Sequence, residues 1–157
     1  MESLEKILQQ HPFIQGLAPE HVQLIVGCAK NAVFEAGKFL FKEDEEAGEF
    51  YILRSGKVSL EIYTPEYGPV AIQTVGEGDI LGWSWLIPPY FWRMDGRAIE
   101  TTRAISLDGK CLRGKCEKDP KLGYELMKRL ANVFEQRLTA MRLQLLDIYS
   151  IKVPDKK

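Results

Sequence analysis

The residues best suited to binding chemistry lie in one short segment. Trp83, Trp85 and Trp92 fall within ten residues, and Arg93 and Arg97 follow them. Indole rings can lie against a flat or cationic ligand group, and a guanidinium can hold an anion through paired hydrogen bonds. Core packing alone does not account for so many large rings, because one short element buries only one face. The segment is therefore interpreted as a rigid aromatic loop with cations at its rim, whose role depends on the fold that carries it.

Residue types suited to catalysis or metal binding are scarce. The two histidines, His11 and His21, both precede the strand-rich part of the chain. A barrel metal site of the cupin kind needs histidines on its strands. Ser84 lies between two tryptophans, with no histidine close in sequence to act as its base. We therefore predict no catalytic residue, no metal and no resident cofactor, and we expect that the chain is not an enzyme.

The composition is that of an ordinary globular domain with a formal net charge of −1. Such a balance does not favour a nucleic-acid partner. No stretch approaches the roughly 18 apolar residues of a membrane span, and the first residues are acidic rather than signal-like. Cys28, Cys111 and Cys116 form an odd set that is expected to stay reduced. These observations predict a cytoplasmic protein without a membrane partner.

The pattern of apolar residues and glycines predicts a mainly β domain with flanking helices. Helical patterns over 1–30 precede a strand-rich region over 31–109, where apolar residues recur at period two. About six to eight short strands with glycine-rich turns are typical of a sandwich or barrel. Helices are expected over 110–151, and residues 152–157 form a tail.

The last predicted helix, over 120–151, carries an apolar seam at heptad spacing. The seam positions are Ala131, Phe134, Leu138, Met141, Leu145 and Ile148. A helix of about 30 residues is roughly 45 Å long, which exceeds what a small barrel can cover. We therefore predict a homodimer through this seam. A monomer whose helix folds back on the barrel is the alternative.

Several glycine-containing segments resemble the cyclic nucleotide-binding domain, in particular the sensor half of the Crp/Fnr-type bacterial regulators. In chain order they are 11–17, 35–44, 50–58 and 78–82. The resemblance implies a β-roll, a jelly-roll-like double-stranded β-helix, between N-terminal helices and a long C-terminal helix. It also implies a ligand sensor in signal transduction, with a phosphate-binding cassette within residues 78–98.

The cassette departs from the family pattern, in which a short helix follows the glycine and a glutamate beside it binds the ribose. Here Trp83 follows Gly82, and an indole donates a hydrogen bond but cannot accept one. The arginine that pairs with the phosphate in the family has two candidates. Arg93 lies eleven positions after Gly82, whereas Arg97 with Ala98 matches an Arg-Ala pair that comes four residues late. The resemblance leaves both open.

The C-terminal helix departs from the family as well. Met141 and Arg142 take the positions that contact adenine in the best-known cAMP receptor of the family. Ribose and base recognition are both altered, so tight cAMP binding in the ordinary mode is not expected. We predict an anionic ligand, either a cyclic nucleotide bound in a non-standard mode or another metabolite. The candidate ligand-binding residues are Gly82, Trp83, Ser84, Trp85, Arg93, Arg97, Ala98, Met141 and Arg142.

The residues leave a second function open. The pocket could be filled by its own tryptophans, and the domain would then be a ligand-free interaction or dimerisation module. The helix-turn-helix of the regulators is not expected in this chain, so nucleic acid is not expected as a partner of this chain alone. An unidentified protein partner is compatible with either function.

Overall fold

The computed structural model describes residues 3–149 as a β-roll with helices at both ends. Helices α1 (Leu4–Gln10) and α2 (Pro19–Val26) come first, and α3 (Gly109–Lys118) and α4 (Pro120–Ile148) come last. The strands between them are β1 (Ala29–Phe34), β2 (Phe39–Phe41), β3 (Glu49–Ser55), β4 (Lys57–Thr64), β5 (Gly68–Gly76), β6 (Ile80–Leu81), β7 (Asp95–Ala98) and β8 (Thr102–Asp108). The predicted fold class is confirmed. The predicted tail, 152–157, lies outside the described residues.

The strands form two antiparallel sheets of four strands each, ordered β1-β8-β3-β6 and β2-β7-β4-β5. The central strand β3 is buried on both of its faces. Phe50 and Ile52 belong to the core beneath the helices, whereas Tyr51 and Leu53 belong to the core between the sheets. Successive side chains of a strand point to opposite faces. β3 therefore separates a helical core from an inter-sheet core.

The fully buried apolar side chains of the long helix α4 all lie in its first half. Asp119 caps its N-terminus by accepting a hydrogen bond from the Leu122 N–H at 3.3 Å. Leu122, Leu126 and Leu130 are buried in the helical core. Farther along, within the described residues, Arg137 is the buried side chain of this helix. Neither α4 nor another helix of the described range is long and apolar enough to cross a membrane.

Cys28 and Cys111 form a disulfide, so the expectation that all three cysteines are reduced is wrong for this pair. β1 and β8 pair in antiparallel register, and the Asp108 N–H donates to the Cys28 carbonyl at 2.9 Å. This pairing brings the start of β1 beside the first turn of α3. Cys116 is a free thiol, and burial raises its pKa. The expected cytoplasmic location depends partly on reduced thiols and stays a prediction.

Removing the disulfide should lower the stability. Cys28 and Cys111 are separated by 83 positions, and closing a loop of that length is worth about 4.5 kcal/mol in the chain-entropy account. We expect Cys28→Ser to lower the melting temperature under non-reducing conditions. Cys116→Ser is the control, because this thiol has no disulfide partner, and it should leave the melting temperature nearly unchanged. A wild-type melting temperature that does not respond to dithiothreitol would contradict the pairing.

Candidate ligand-binding site

The cassette leaves β6 at Gly82 and continues as a turn. Gly82 has a φ of +87°, a conformation that glycine adopts readily. The Leu86 N–H then donates to the Trp83 carbonyl at 3.0 Å, and the Ile87 N–H donates to the Ser84 carbonyl at 3.4 Å, which closes two overlapping turns. This chain thus has turns where the family pattern has a short helix. Pro88 and Pro89 have no N–H group, so they cannot supply the hydrogen bonds that would extend the turn into a helix.

Trp85 anchors the cassette in the helical core. Its side chain is 1% exposed and lies 5.5 Å, between ring centroids, from Phe50. Its indole N–H donates to the Gly82 carbonyl at 3.1 Å, and its own carbonyl accepts a hydrogen bond from Arg113. The indole N–H, the only polar group of the ring, is thus already hydrogen-bonded. Trp85 therefore fixes the cassette in place and does not face a ligand.

Trp92 is anchored in the other core, between the sheets. Its ring stacks on Phe41 with a centroid distance of 3.9 Å and an interplanar angle of 11°. Tyr51 lies beside this pair, with its ring centroid 6.4 Å from that of Trp92 at 21° and 6.3 Å from that of Phe41. Backbone hydrogen bonds of 2.9 Å hold the residue on both sides, from its N–H to the Glu45 carbonyl and from the Asp44 N–H to its carbonyl. The indole is thus a fixed part of the inter-sheet core.

Trp83 connects the cassette to α4. Its ring meets the edge of Phe134 at a centroid distance of 4.7 Å and an angle of 77°. The guanidinium of Arg137 lies 5.1 Å from the same ring and donates a hydrogen bond to the Ile80 carbonyl. Burial lowers the pKa of Arg137. Phe134, a predicted seam residue, therefore also packs within its own chain.

A cavity of about 60 Å³ lies between the cassette, the inter-sheet core and α4. The predicted ligand-binding residues that line it are Gly82, Trp83, Ser84, Arg93 and Met141. The predicted residues outside its lining are Trp85, Arg97, Ala98 and Arg142. Ala98 is buried in the inter-sheet core, and Arg142 is exposed on α4.

Several lining residues escape sequence reasoning, among them Phe41, Met94 and Arg137, whereas Trp92 belongs to the tryptophan segment that the sequence singles out. A signal for Arg137 does exist. It continues the inward-facing stripe of Leu122, Leu126 and Leu130, because it lies seven positions after Leu130 and so returns to nearly the same helix face. A charged residue on a buried stripe marks a place where a helix meets a polar group.

Arg97 points away from the cavity. Ala98 belongs to the inter-sheet core, and side chains alternate along β7, so Arg97 faces the opposite side. Its guanidinium donates two hydrogen bonds to the Glu61 carboxylate on β4, from Nε to Oε1 at 3.2 Å and from Nη2 to Oε2 at 2.8 Å. These bonds hold the pKa of Glu61 below its usual range. The charge of Arg97 is thus already matched.

Arg93 is exposed at the mouth of the cavity, and among residues 3–149 it takes part in no salt bridge. The lining contains Arg93 and Arg137 and no acidic residue. The cavity therefore has a positive character. Within the same described range, no group of three or more potential His, Cys, Asp or Glu ligands could hold a metal ion.

A larger cleft, of about 700 Å³, lies between α4, from Lys128 to Gln144, and the end of β5 with the turn that follows it. Polar side chains of the helix bridge it. Arg129 donates to the Phe13 carbonyl at 2.7 Å, and Gln144 donates to the Ile72 carbonyl at 2.5 Å. Gly82, Trp83 and Ser84 do not line this cleft. It lies under the helix and adjoins the smaller cavity, because Gln73 and Arg137 line both.

The model of the cyclic nucleotide-binding domain matches residues 32–119, which is more than half of the chain. The chain belongs to this family. The matched region runs from the first strand of the roll to the residue that caps α4, so it contains the cassette and all of the strands after β1.

The relatives of this cyclic nucleotide-binding domain include regulators and isolated domains. A CRP-like cAMP-activated global transcriptional regulator of Mycobacterium tuberculosis is 25% identical over 98% of this chain and 66% of its own length. The chain thus spans about two thirds of that regulator. A solved cyclic nucleotide-binding protein of Geobacter metallireducens is 28% identical, with a TM-score of 0.78 over 87% of this chain and 99% of its own. The catabolite activator protein of Thermus thermophilus is 25% identical, with a TM-score of 0.67 over 88% of this chain and 63% of its own.

Glu61→Gln should lower the stability in a pH-dependent way. The folded-state pKa of Glu61 lies below its reference value of 4.5 because Arg97 hydrogen-bonds to the carboxylate. The ion pair therefore stabilises the fold above that reference value, and its effect is lost as the pH falls through the lowered pKa. In urea unfolding we expect the variant to be less stable at neutral pH and to match the wild type well below the lowered pKa. An equal deficit at every pH would contradict an ionic role.

Proposed function

We propose that the domain is a regulatory sensor, which binds a small anionic ligand at the cassette and signals through α4. Trp83 is the observation that carries this proposal. The residue lines the cavity, while its ring contacts Phe134 and Arg137 of α4. A ligand that moves Trp83 therefore alters the contact between the cassette and the helix. Family membership supports a regulatory rather than an enzymatic role.

Arg93 is the residue that we assign to the anion. It is exposed beside the cavity, and its charge is not matched by a salt bridge within residues 3–149. Arg97 is a poorer candidate, because Glu61 already accepts two of its hydrogen bonds and its side chain lies outside the lining. Arg137 adds positive charge to the inner end of the cavity.

The likeness to a cAMP-activated regulator supports a nucleotide-like anion as the ligand. Trp83, which follows Gly82, cannot accept a hydrogen bond from a ribose hydroxyl. A cyclic nucleotide would therefore bind in a non-standard mode, and other compact anions are equally compatible with the lining. A ligand-free module filled by its own tryptophans is the alternative. The match to a family of ligand-binding domains favours the sensor.

The same proposal includes a homodimer through α4. Leu138, Leu145 and Ile148 are 51%, 57% and 75% exposed on this helix. Phe134 and Met141 are half-buried between the helix and the cassette. An apolar stripe of this kind is stable in water when a second copy covers it. Because Phe134 and Met141 belong both to the stripe and to the surroundings of the cavity, ligand binding and dimerisation would affect one another.

Tryptophan fluorescence offers a direct test of the anion site, since all three indoles lie in the cassette. We expect titration with cAMP, cGMP, pyrophosphate or inorganic phosphate to change the emission with at least one of them. Arg93→Ala should weaken that binding by about 10- to 100-fold, as expected for a charged hydrogen-bond partner. Arg97→Ala should weaken it much less. If Arg97→Ala weakens binding more than Arg93→Ala does, the anion is assigned to Arg97. If no anion changes the emission, the ligand-free module is favoured.

Sedimentation velocity tests the dimer. Leu138→Asp places a charge in the seam and should convert a dimer to a monomer. Leu143→Asp is the matched control, because Leu143 is 50% exposed, close to the 51% of Leu138, but lies outside the seam. We expect the control to keep the wild-type sedimentation coefficient. An unchanged coefficient for Leu138→Asp, or a monomeric wild type, would contradict the interface.

A further inference from the structure

We propose that Trp92 occupies the slot for a flat bicyclic ring, so that the wild-type site accepts compact anions and excludes purine nucleotides. This inference rests on the proposed sensor function and narrows its ligand class. An indole and a purine are both a five-membered ring fused to a six-membered ring, and they have nearly the same size. The chain therefore supplies, from its own sequence, a group with the shape of a nucleotide base.

The stacking geometry supports this reading. The indole lies 3.9 Å from Phe41, at an angle of 11°, which is close face-to-face stacking. Aromatic platforms of this kind hold flat bases in nucleic-acid-binding proteins. Trp92 is only 5% exposed. The face of Phe41 is thus covered by an internal ring.

Two glycines make room for this stack. A Cβ atom on Gly82 would lie 2.5 Å from carbon atoms of the Trp92 ring, and one on Gly96 would lie 2.5 Å from the Phe41 ring. Real Cβ atoms do not approach other atoms that closely, so a side chain at either glycine would displace the rings. The backbone on both sides of the stack is therefore fitted to Trp92 and Phe41 together.

Hydrogen bonds also fix the main chain of Trp92, which supports the assignment of its indole to the slot in the wild-type protein. Its N–H and carbonyl pair with Glu45 and Asp44 at 2.9 Å each, and Phe91 forms a β-bridge with Glu46. Opening the slot requires those backbone bonds to break or the indole to leave its stack.

The space that remains is small and positive. About 60 Å³ is left beside Trp92, with Arg93 at its mouth, Arg137 inside and no acidic residue in the lining. Pockets for drug-sized ligands usually measure roughly 300–1,000 Å³. The remaining volume corresponds to a few water molecules, which is the size of a phosphate or carboxylate group. The ligand that fits without rearrangement is therefore a compact anion.

Trp92→Ala tests the inference by opening the slot. In isothermal titration calorimetry with inorganic phosphate and with cAMP as probes, we expect the wild type to bind phosphate in preference to cAMP. Trp92→Ala should gain affinity for cAMP by about ten-fold or more relative to the wild type. Phe91→Ala is the control, because Phe91 is 41% exposed beside Trp92 and outside the lining, and it should not gain affinity.

Indole provides a second measurement that does not depend on the anion. If the slot accepts a bicyclic ring, added indole should raise the melting temperature of Trp92→Ala in a concentration-dependent way and leave the wild type unaffected. Trp92→Leu, which keeps an apolar side chain in the core, replaces the alanine variant in both measurements if the latter does not fold.

The outcomes separate this inference from the proposed function. A wild type that binds cAMP as tightly as the Trp92 variant would overturn the inference and leave the sensor function intact. If the Trp92 variant binds neither indole nor cAMP more tightly than the wild type does, the inference is also overturned. By contrast, suppose that the wild type does not bind phosphate and that the variant binds both cAMP and indole. This result would overturn the proposed anion sensor, while the assignment of the slot to Trp92 stands.

Discussion

The double burial of β3 is the constraint on which the rest of the structure depends. Neighbouring residues of this strand serve two different cores, because successive side chains point to opposite faces. Phe50 packs against Trp85 on the helical side, and Tyr51 lies near Trp92 on the inter-sheet side. The cassette is thus fastened at two points to opposite faces of one strand. Trp83 is left between them, and it contacts α4 instead.

This division of the three tryptophans could not be read from their spacing. The sequence predicts that core packing alone does not account for the rings, yet Trp85 and Trp92 are both buried in cores. The glycine signatures correctly predict the β-roll. The partner of each ring depends on contacts between residues far apart in the chain, such as Phe41 with Trp92 and Trp83 with Phe134. Local pattern carries no information on such contacts. The fold was therefore more accessible to prediction than the arrangement of the site.

The disulfide and the arginine pair show the same limit. Cys28 and Cys111 become neighbours only because β1 pairs with β8, and their spacing of 83 positions gives no hint of this. Arg97 and Arg93 are equally plausible anion ligands in the sequence. The alternation along β7 turns Arg97 toward Glu61, and only the pairing of β7 with β4 reveals that carboxylate. In both cases strand register decides the chemistry.

The uneven attachment of α4 has a mechanical consequence. The leucines of its first half would expose apolar surface if they moved, which makes that half costly to displace. The half after Leu130 is tied to the roll mostly by long polar side chains that reach backbone carbonyls, and water can take over such bonds at little cost. The helix is thus attached firmly to the roll in its first half and weakly in its second half. Trp83 contacts the helix near the boundary between these halves. A small displacement of Trp83 would therefore produce a larger displacement toward the C-terminal end of the helix.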